Sequence, residues 1–304
     1  MTASIRVSTD DDAEGIVALR REQYPFGVTT VAALRHYWRT ERPEEKALRL
    51  VAEAGGEIVA VGRVGLNTWT TIPGAANLGL IVRRPMRGQG IGGRLYDTLM
   101  DHLVGNGGTR IEGWGDGDDI VGGFLARRGF ERRNELRYSH LDLRQPLPPM
   151  PAVPDGVRVV SFAESTPEDV FSIDVESIQD EPGDTPNDDV DFAEWCDAAW
   201  HPPTTDHQAS TVVYAHGQPA AYTIVEIDPE TQRMWSGGTG SRRSVRGRGL
   251  AKLAKSVALR KAVSLGVTDA YTTNDEVNAP MLAINVWLGY RPCDAQWSYL
   301  KTLG

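Results

Sequence analysis

Two short stretches of this chain have residue types and spacing that could do chemistry: Arg87-Gly88-Gln89-Gly90 and Arg246-Gly247-Arg248-Gly249. Each stands between an apolar run that reads as a strand and a segment that reads as an amphipathic helix. Glycine at such a junction lets the backbone approach a ligand closely, and the first free amides of the helix, with its dipole, favour an anion. The pattern predicts a pyrophosphate cradle of backbone N–H groups. A Walker-type loop is excluded because no Lys-Ser/Thr follows. A Rossmann fingerprint is excluded because the glycine spacing and the distal acid are both wrong.

The elements that must position these loops also come twice. Arg87 and Arg246 lie 159 residues apart, and the later pairs Gly129-Phe130 and Gly289-Tyr290 lie 160 apart. An offset held through two landmarks predicts two copies of one domain. Between them, Arg144–Gly156 (RQPLPPMPAVPDG) concentrates prolines that cannot continue a helix or a sheet interior. The expected boundaries are 1–143, a linker at 144–156, and 157–304. In the first copy SIRV, the runs around Gly55-Gly56 and Ala76–Val82 read as strands. Ile91, Leu95, Leu99 and Leu103 form one helical stripe. In the second, VRVVSF, STVVYAHGQPAAYTIVEI and RMWSGGTGS repeat the strands, and Leu253, Ala254, Val257 and Ala258 share a helix face. Each copy is expected to be α/β, with a mixed, mostly antiparallel central sheet flanked by helices.

Composition bounds the partners. The chain has 304 residues and a net charge of −9, which gives no reason to expect nucleic acid or membrane as a partner. It holds no apolar run of about 18 residues and no signal-peptide core near its start, so a cytoplasmic location is expected. Cys196 and Cys293 have no metal-ligand spacing with each other or with any histidine, so they read as free thiols and no metal site is expected.

The surrounding residues add a resemblance. IVRRPMRGQGIGGRL and RSVRGRGLAKLAKSVAL each resemble motif A of the GNAT N-acetyltransferase superfamily, Gln/Arg-x-x-Gly-x-Gly/Ala. Arg87, Gly90 and Gly92 fill it in one copy, and Arg246, Gly249 and Ala251 in the other. FLARRGF and NAPMLAINVWLGY resemble its motif B. The resemblance covers nearly the whole chain and implies a tandem of two GNAT-like domains using acetyl-CoA. It implies that the strand before motif A splays and pairs with the pantetheine arm while motif A amides hold the pyrophosphate. The implied CoA residues are Thr239, Gly240, Ser241, Arg246, Gly247, Arg248, Gly249, Leu250, Ala251, Asn278 and Asn285 in the second copy. In the first they are Val82, Arg87, Gly88, Gln89, Gly90, Ile91 and Gly92.

Two departures steer the expected chemistry. Many members place a tyrosine four residues before the motif B glycine; here those positions hold Leu125 and Asn285, and neither can protonate a leaving thiolate. The second copy keeps Asn274, Asn278 and Asn285 whereas the first has no such asparagine, so chemistry is expected in the second. From Val159 to Gln232 there is no Lys or Arg, while Asp180, Glu181, Asp184, Asp188 and their neighbours are acidic. A field of that sign attracts a cation, and a small-molecule primary amine is the expected acceptor. Asp180 and Asp184 are the expected substrate contacts on a mobile segment. Glu226 is the candidate general base, and Asn285 is the second candidate at the reacting centre. His216 reads as a turn residue. Three other readings stand beside this one: a tandem enzyme resembling mycothiol synthase, a protein N-acetyltransferase, and a non-catalytic acyl-CoA-binding protein. Oligomeric state is left open.

Overall fold

In the computed structural model, which describes residues 3–303, the first half runs β1 (Ser4–Val7), α1 (Ala13–Gln23), α2 (Val31–Thr40), β2 (Leu48–Ala54), β3 (Glu57–Leu66), β4 (Ala75–Val82), α3 (Ile91–Gly105), β5 (Arg110–Asp116), α4 (Asp119–Ala126) and β6 (Glu131–Asp142). The second runs β7 (Val157–Ser161), α5 (Pro167–Ile178), α6 (Phe192–Trp195), β8 (Thr211–Ala215), β9 (Gln218–Asp228), β10 (Arg233–Ser241), α7 (Leu250–Ser264), β11 (Asp269–Asp275), α8 (Ala279–Leu288) and β12 (Arg291–Thr302). The expected hairpin turns are present. Gly55 and Gly56 both adopt left-handed φ, 63° and 82°, as do His216 and Gly217 at 50° and 79°, the geometry that matches hairpin twist.

All twelve strands join one sheet, ordered β1-β2-β3-β4-β5-β12-β6-β11-β10-β9-β8-β7. The order has a feature absent from the sequence reading: the last strand of each half sits beside the sheet of the other. β12 pairs antiparallel with β5 of the first half, and β6 pairs with β11 of the second, while β6 and β12 pair with each other. Burial follows the exchange. Tyr299 and Trp297 of β12 pack into the first-half core around Leu95, Leu99 and Ile111. Leu141 of β6 packs into the second-half core around Leu259, Ala262 and Ala270. The covalent halves are thus stitched through their terminal strands.

The helix stripes lie where their period predicts. Ile91, Leu95, Leu99 and Leu103 are buried against β2–β4, and Leu253, Ala254 and Ala258 are buried over β8–β10, with Val257 partly covered beside them. The acidic aromatic run DFAEWCDAAW forms α6 and a π-helical turn, Cys196–Trp200. Its Trp195 is buried and donates its indole N–H to Asp174 at 2.6 Å; Tyr222 donates to the other oxygen of that carboxyl. Burial pushes the Asp174 carboxyl upward, and these two donors anchor α5 to α6 and β9.

Candidate active site

In each half a parallel strand pair opens in front of the glycine loop. β4 and β5 pair from Ala75↔Arg110 as far as Leu78↔Gly113, and β10 and β11 from Arg233↔Asp269 as far as Trp235↔Tyr271, after which the strands part. The second opening is longer, leaving Ser236–Ser241 without a partner on the β11 side. It also carries a bulge between Ser236 and Thr239 against β9, whereas β4 runs in unbroken register on β3. Gly237 and Gly238 occupy the bulge, where a strand bends and re-aims its groups. A splayed strand edge offers free amides and carbonyls to an extended ligand.

The two loops have the same backbone. Gly88 and Gly90 have φ of 77° each, and Gly247 and Gly249 have 75° and 77°. Gly90 and Gly249 are the residues that cap α3 and α7. No heavy atom lies within 4 Å of a Cβ built on any of the four, so the space above both loops is open.

What surrounds the loops separates them. Arg87 is drawn inward: its guanidinium donates to Val82 O at 3.1 Å, to Gln23 Oε1 at 3.0 Å and to Asp118 at 3.3 Å, with Asp116 at 3.9 Å. An acidic loop therefore answers the charge of the first cradle from inside the fold. Gln89 donates to Pro85 O, Ile91 is buried, and a side chain at Gly92 would press on Val82 and Phe124.

In the second half, Arg246 lies along the rim with Arg243, and Asp180 bridges both at 2.7 Å. The two guanidinium groups hold the Asp180 carboxyl far below its ordinary range. Asp180, expected at the acceptor, therefore stands on the cradle side, paired with the two arginines. Arg248 is exposed on the same loop.

Between loop and splayed strand lies a cleft of roughly 1160 Å³. Its lining includes Thr239, Gly240, Ser241, Arg246, Gly247, Gly249, Leu250, Ala251, Asn274 and Asn278. This gathers most of the second-copy residues expected to hold CoA. Asn278 also caps α8, accepting from Met281 N–H at 3.3 Å. Asn285 lies behind this wall. It is buried, donates to Asn274 Oδ1, and has no partner for its own Oδ1 among the described residues. Lys255, which no sequence signal singled out, lies on the cleft wall. It is 1% exposed, has no ion pair among the described residues, and has its Nζ 5.6 Å from the Tyr290 ring centre. Burial pushes its ammonium down to about 7.

A second cavity, of about 840 Å³, lies between the halves. One wall is built from α1, α2 and β3 by Arg20, Tyr37 and Arg63. The other is built by Glu112 of β5, Asp275 of β11, and Glu181 and Asp184 of the segment after α5. That segment is an irregular strap laid across the first half. Asp184 accepts from Ser298 Oγ at 2.6 Å and from Arg133 at 3.3 Å; Asp188 accepts from the Thr71 amide and hydroxyl at 2.8 Å. Asp184, expected to contact substrate on a mobile segment, thus lines the cavity and also fastens the strap. Glu181 is exposed at one side and free of ion pairs and side-chain hydrogen bonds among the described residues. It faces both the cavity and the cleft, which share Trp69, Glu181, Pro182, Ala198 and Thr273. Desolvation, with Asp174 and Asp275 nearby, pushes its carboxyl upward.

Glu226 occupies a third space of about 380 Å³, lined by Leu78–Ile81 of β4 together with Tyr24, Phe26, Tyr138 and Trp235. Among the described residues only Thr204 Oγ1 donates to it, at 3.2 Å, and desolvation pushes its carboxyl up to about 7. This second-half glutamate thus shares a space with the splayed strand of the first half. His216 is a turn residue, as its φ shows. No cluster of metal-ligating residues exists among the described residues, and none of their helices is long and apolar enough to cross a membrane.

Comparison with known proteins accords with this geometry. Residues 13–130 match the model of the Acetyltransferase (GNAT) family. The chain is 24% identical over 238 residues to a mycothiol acetyltransferase of Acidothermus cellulolyticus, covering 70% of this chain and 67% of that protein. It is 26% identical over 228 residues to a mycothiol acetyltransferase of Thermobispora bispora, covering 69% and 71%. Among solved structures, the fold is shared with a tandem GNAT protein from the clavulanic acid biosynthesis pathway (TM-score 0.73, 21% identity, 100% and 99% covered). It is also shared with a GCN5-related N-acetyltransferase from Sphaerobacter thermophilus (TM-score 0.73, 17% identity, 99% and 95% covered).

Proposed function

We propose, from the match of residues 13–130 to the GNAT family model and the fold shared with GNAT proteins, that the chain is an acetyltransferase that acetylates the primary amine of a small molecule in the second-half cleft. In this reading the amine enters as an ammonium through the acidic cavity between the halves. One observation carries it: that cavity and the cleft share Glu181 in their linings, while the arginine of the first loop is already engaged by Asp116 and Asp118.

The residues fit acetyl-CoA as cosubstrate. The open amides above Gly247 and Gly249, with Arg246 and Arg248, would hold the pyrophosphate, and the unpaired edge Ser236–Ser241 would pair with the pantetheine arm. Acetyl-CoA supplies an activated acyl group. The ammonium must first lose a proton, and Glu181 is the group assigned to take it: a free carboxylate, raised by its surroundings, on the wall common to both spaces. The neutral amine then attacks the thioester carbonyl, a C–N bond forms, the C–S bond breaks, and the thiolate leaves to be protonated. Amides of the splayed strand polarise the carbonyl. Asn285 supports Asn274 on the cleft wall rather than serving as an acid.

Turnover of acetyl-CoA against parallel panels of small amines and peptides tests this reading. Glu181→Gln is expected to lower kcat/KM by about 10²-fold near neutral pH, and Glu226→Gln to leave it within about threefold. The reverse pattern would return the base to Glu226 and the chemistry to the cavity beside β4. The identity to two mycothiol acetyltransferases favours adding the amine precursor of mycothiol to the small-molecule panel. Transfer to peptides alone would replace the small-molecule reading. Binding of acetyl-CoA without transfer to any acceptor would leave an acyl-CoA-binding protein.

A further inference from the structure

The cavity between the halves is not uniformly acidic. Arg63 is saturated, held by Glu41 at 3.0 Å and by Glu45. Arg20, on α1, lines the same cavity and has neither an ion pair nor a side-chain hydrogen bond among the described residues. Its surroundings are unfavourable to a lone cation. Burial pushes its guanidinium downward, and the neighbouring Arg63 adds repulsion. The same cavity is lined by Glu181 and Glu112, neither in an ion pair among the described residues, and by Asp275, bonded among them only to a backbone amide, that of Val277. Arg20 is thus a cation without a partner among the described residues, in a cavity whose other unpaired charged groups are carboxylates.

An acceptor with only an ammonium would answer the carboxylates and leave the half-buried guanidinium of Arg20 without a partner, whereas a carboxylate on the same molecule would supply one. We infer that the acceptor is an amino-carboxylate, with its ammonium at Glu181 and Asp275 and its carboxylate on Arg20. The guanidinium fork matches a carboxylate with two parallel N–H···O bonds, and Tyr37 lines the same cavity. The inference rests on the acetyltransfer reading above and narrows its substrate class to a zwitterion, with Arg20 as the residue that selects it.

The test compares a series of ω-amino carboxylates of increasing length with their methyl esters, using wild type, Arg20→Gln and Arg20→Lys. Wild type is expected to acetylate at least one acid with kcat/KM about tenfold or more above its ester. Arg20→Gln should erase that preference by raising KM for the acid alone, and Arg20→Lys should restore part of it. A preference for esters in wild type, or an acid preference that survives Arg20→Gln, overturns the inference while leaving acetyltransfer intact. If no amine is acetylated, the acetyltransfer reading fails by itself. Calorimetric binding of the acids then still decides: binding by wild type but not by Arg20→Gln upholds the Arg20 assignment, and equal binding or none overturns it.

Discussion

Lys255 shows at the scale of one residue what the site costs the fold. An unfolded lysine holds its proton to its ordinary value near 10.5, whereas the buried one lets go at about 7. Between those values the unfolded chain binds more protons, so stability rises with pH across that window and the penalty is fully present below it. Each unit of depression corresponds to about 1.4 kcal/mol. Lys255→Met, measured without acetyl-CoA, should therefore raise Tm by roughly 5 °C or more at pH 6, with the gain fading towards pH 10; a gain independent of pH would contradict the burial of an uncompensated charge. Lys255 was illegible in the sequence because lysine on an amphipathic helix is ordinarily solvated, and only the packing of α7 over β8–β10 and beside Tyr290 covers it. The glycine loops were legible because left-handed backbone before a helix admits few other residues.

The strap between α5 and α6 is the element whose role the sequence obscured. Its acidity is plain from residue types, and it reads as a field for a cation. The partners that consume part of that charge, Arg133, Ser298 and Thr71, belong to other elements and reach it only through the tertiary fold. Asp184→Asn should loosen the strap, with faster amide exchange over residues 180–190, a several-fold higher KM for the acceptor and little change in KM for acetyl-CoA. Unchanged exchange would show that these contacts do not hold the segment. The Gly237-Gly238 bulge, by contrast, could be suspected from RMWSGGTGS, since paired glycines inside a strand mark bends.

Across the whole molecule, the repeat told of two halves but not of their exchanged strands. β6 and β12 occupy corresponding places in the repeat, so the pattern of either suits either sheet, and pairing partners are decided by packing of Leu141, Trp297 and Tyr299. The exchange has a consequence for the linker. Met150 and 152–156 are exposed, so protease should cut there first. Because β6 stays paired with β11 and β12, the nicked fragments should co-elute on size exclusion and separate only in denaturant. Independent elution of two folded fragments would contradict the shared sheet.

The central claim, that acetyl transfer belongs to the second-half cleft, is tested most directly by kcat/KM for acetyl-CoA in Ala251→Trp and Arg87→Ala. Gly249→Val is the weaker probe, since φ of 77° there strains any β-branched side chain whether or not a ligand binds. Ala251 lies within α7 on the cleft wall, so an indole there fills the space without changing the backbone. With circular dichroism showing both variants folded, Ala251→Trp should abolish turnover and Arg87→Ala should leave kcat/KM within about threefold. Activity retained in Ala251→Trp and lost in Arg87→Ala would transfer the chemistry to the first half.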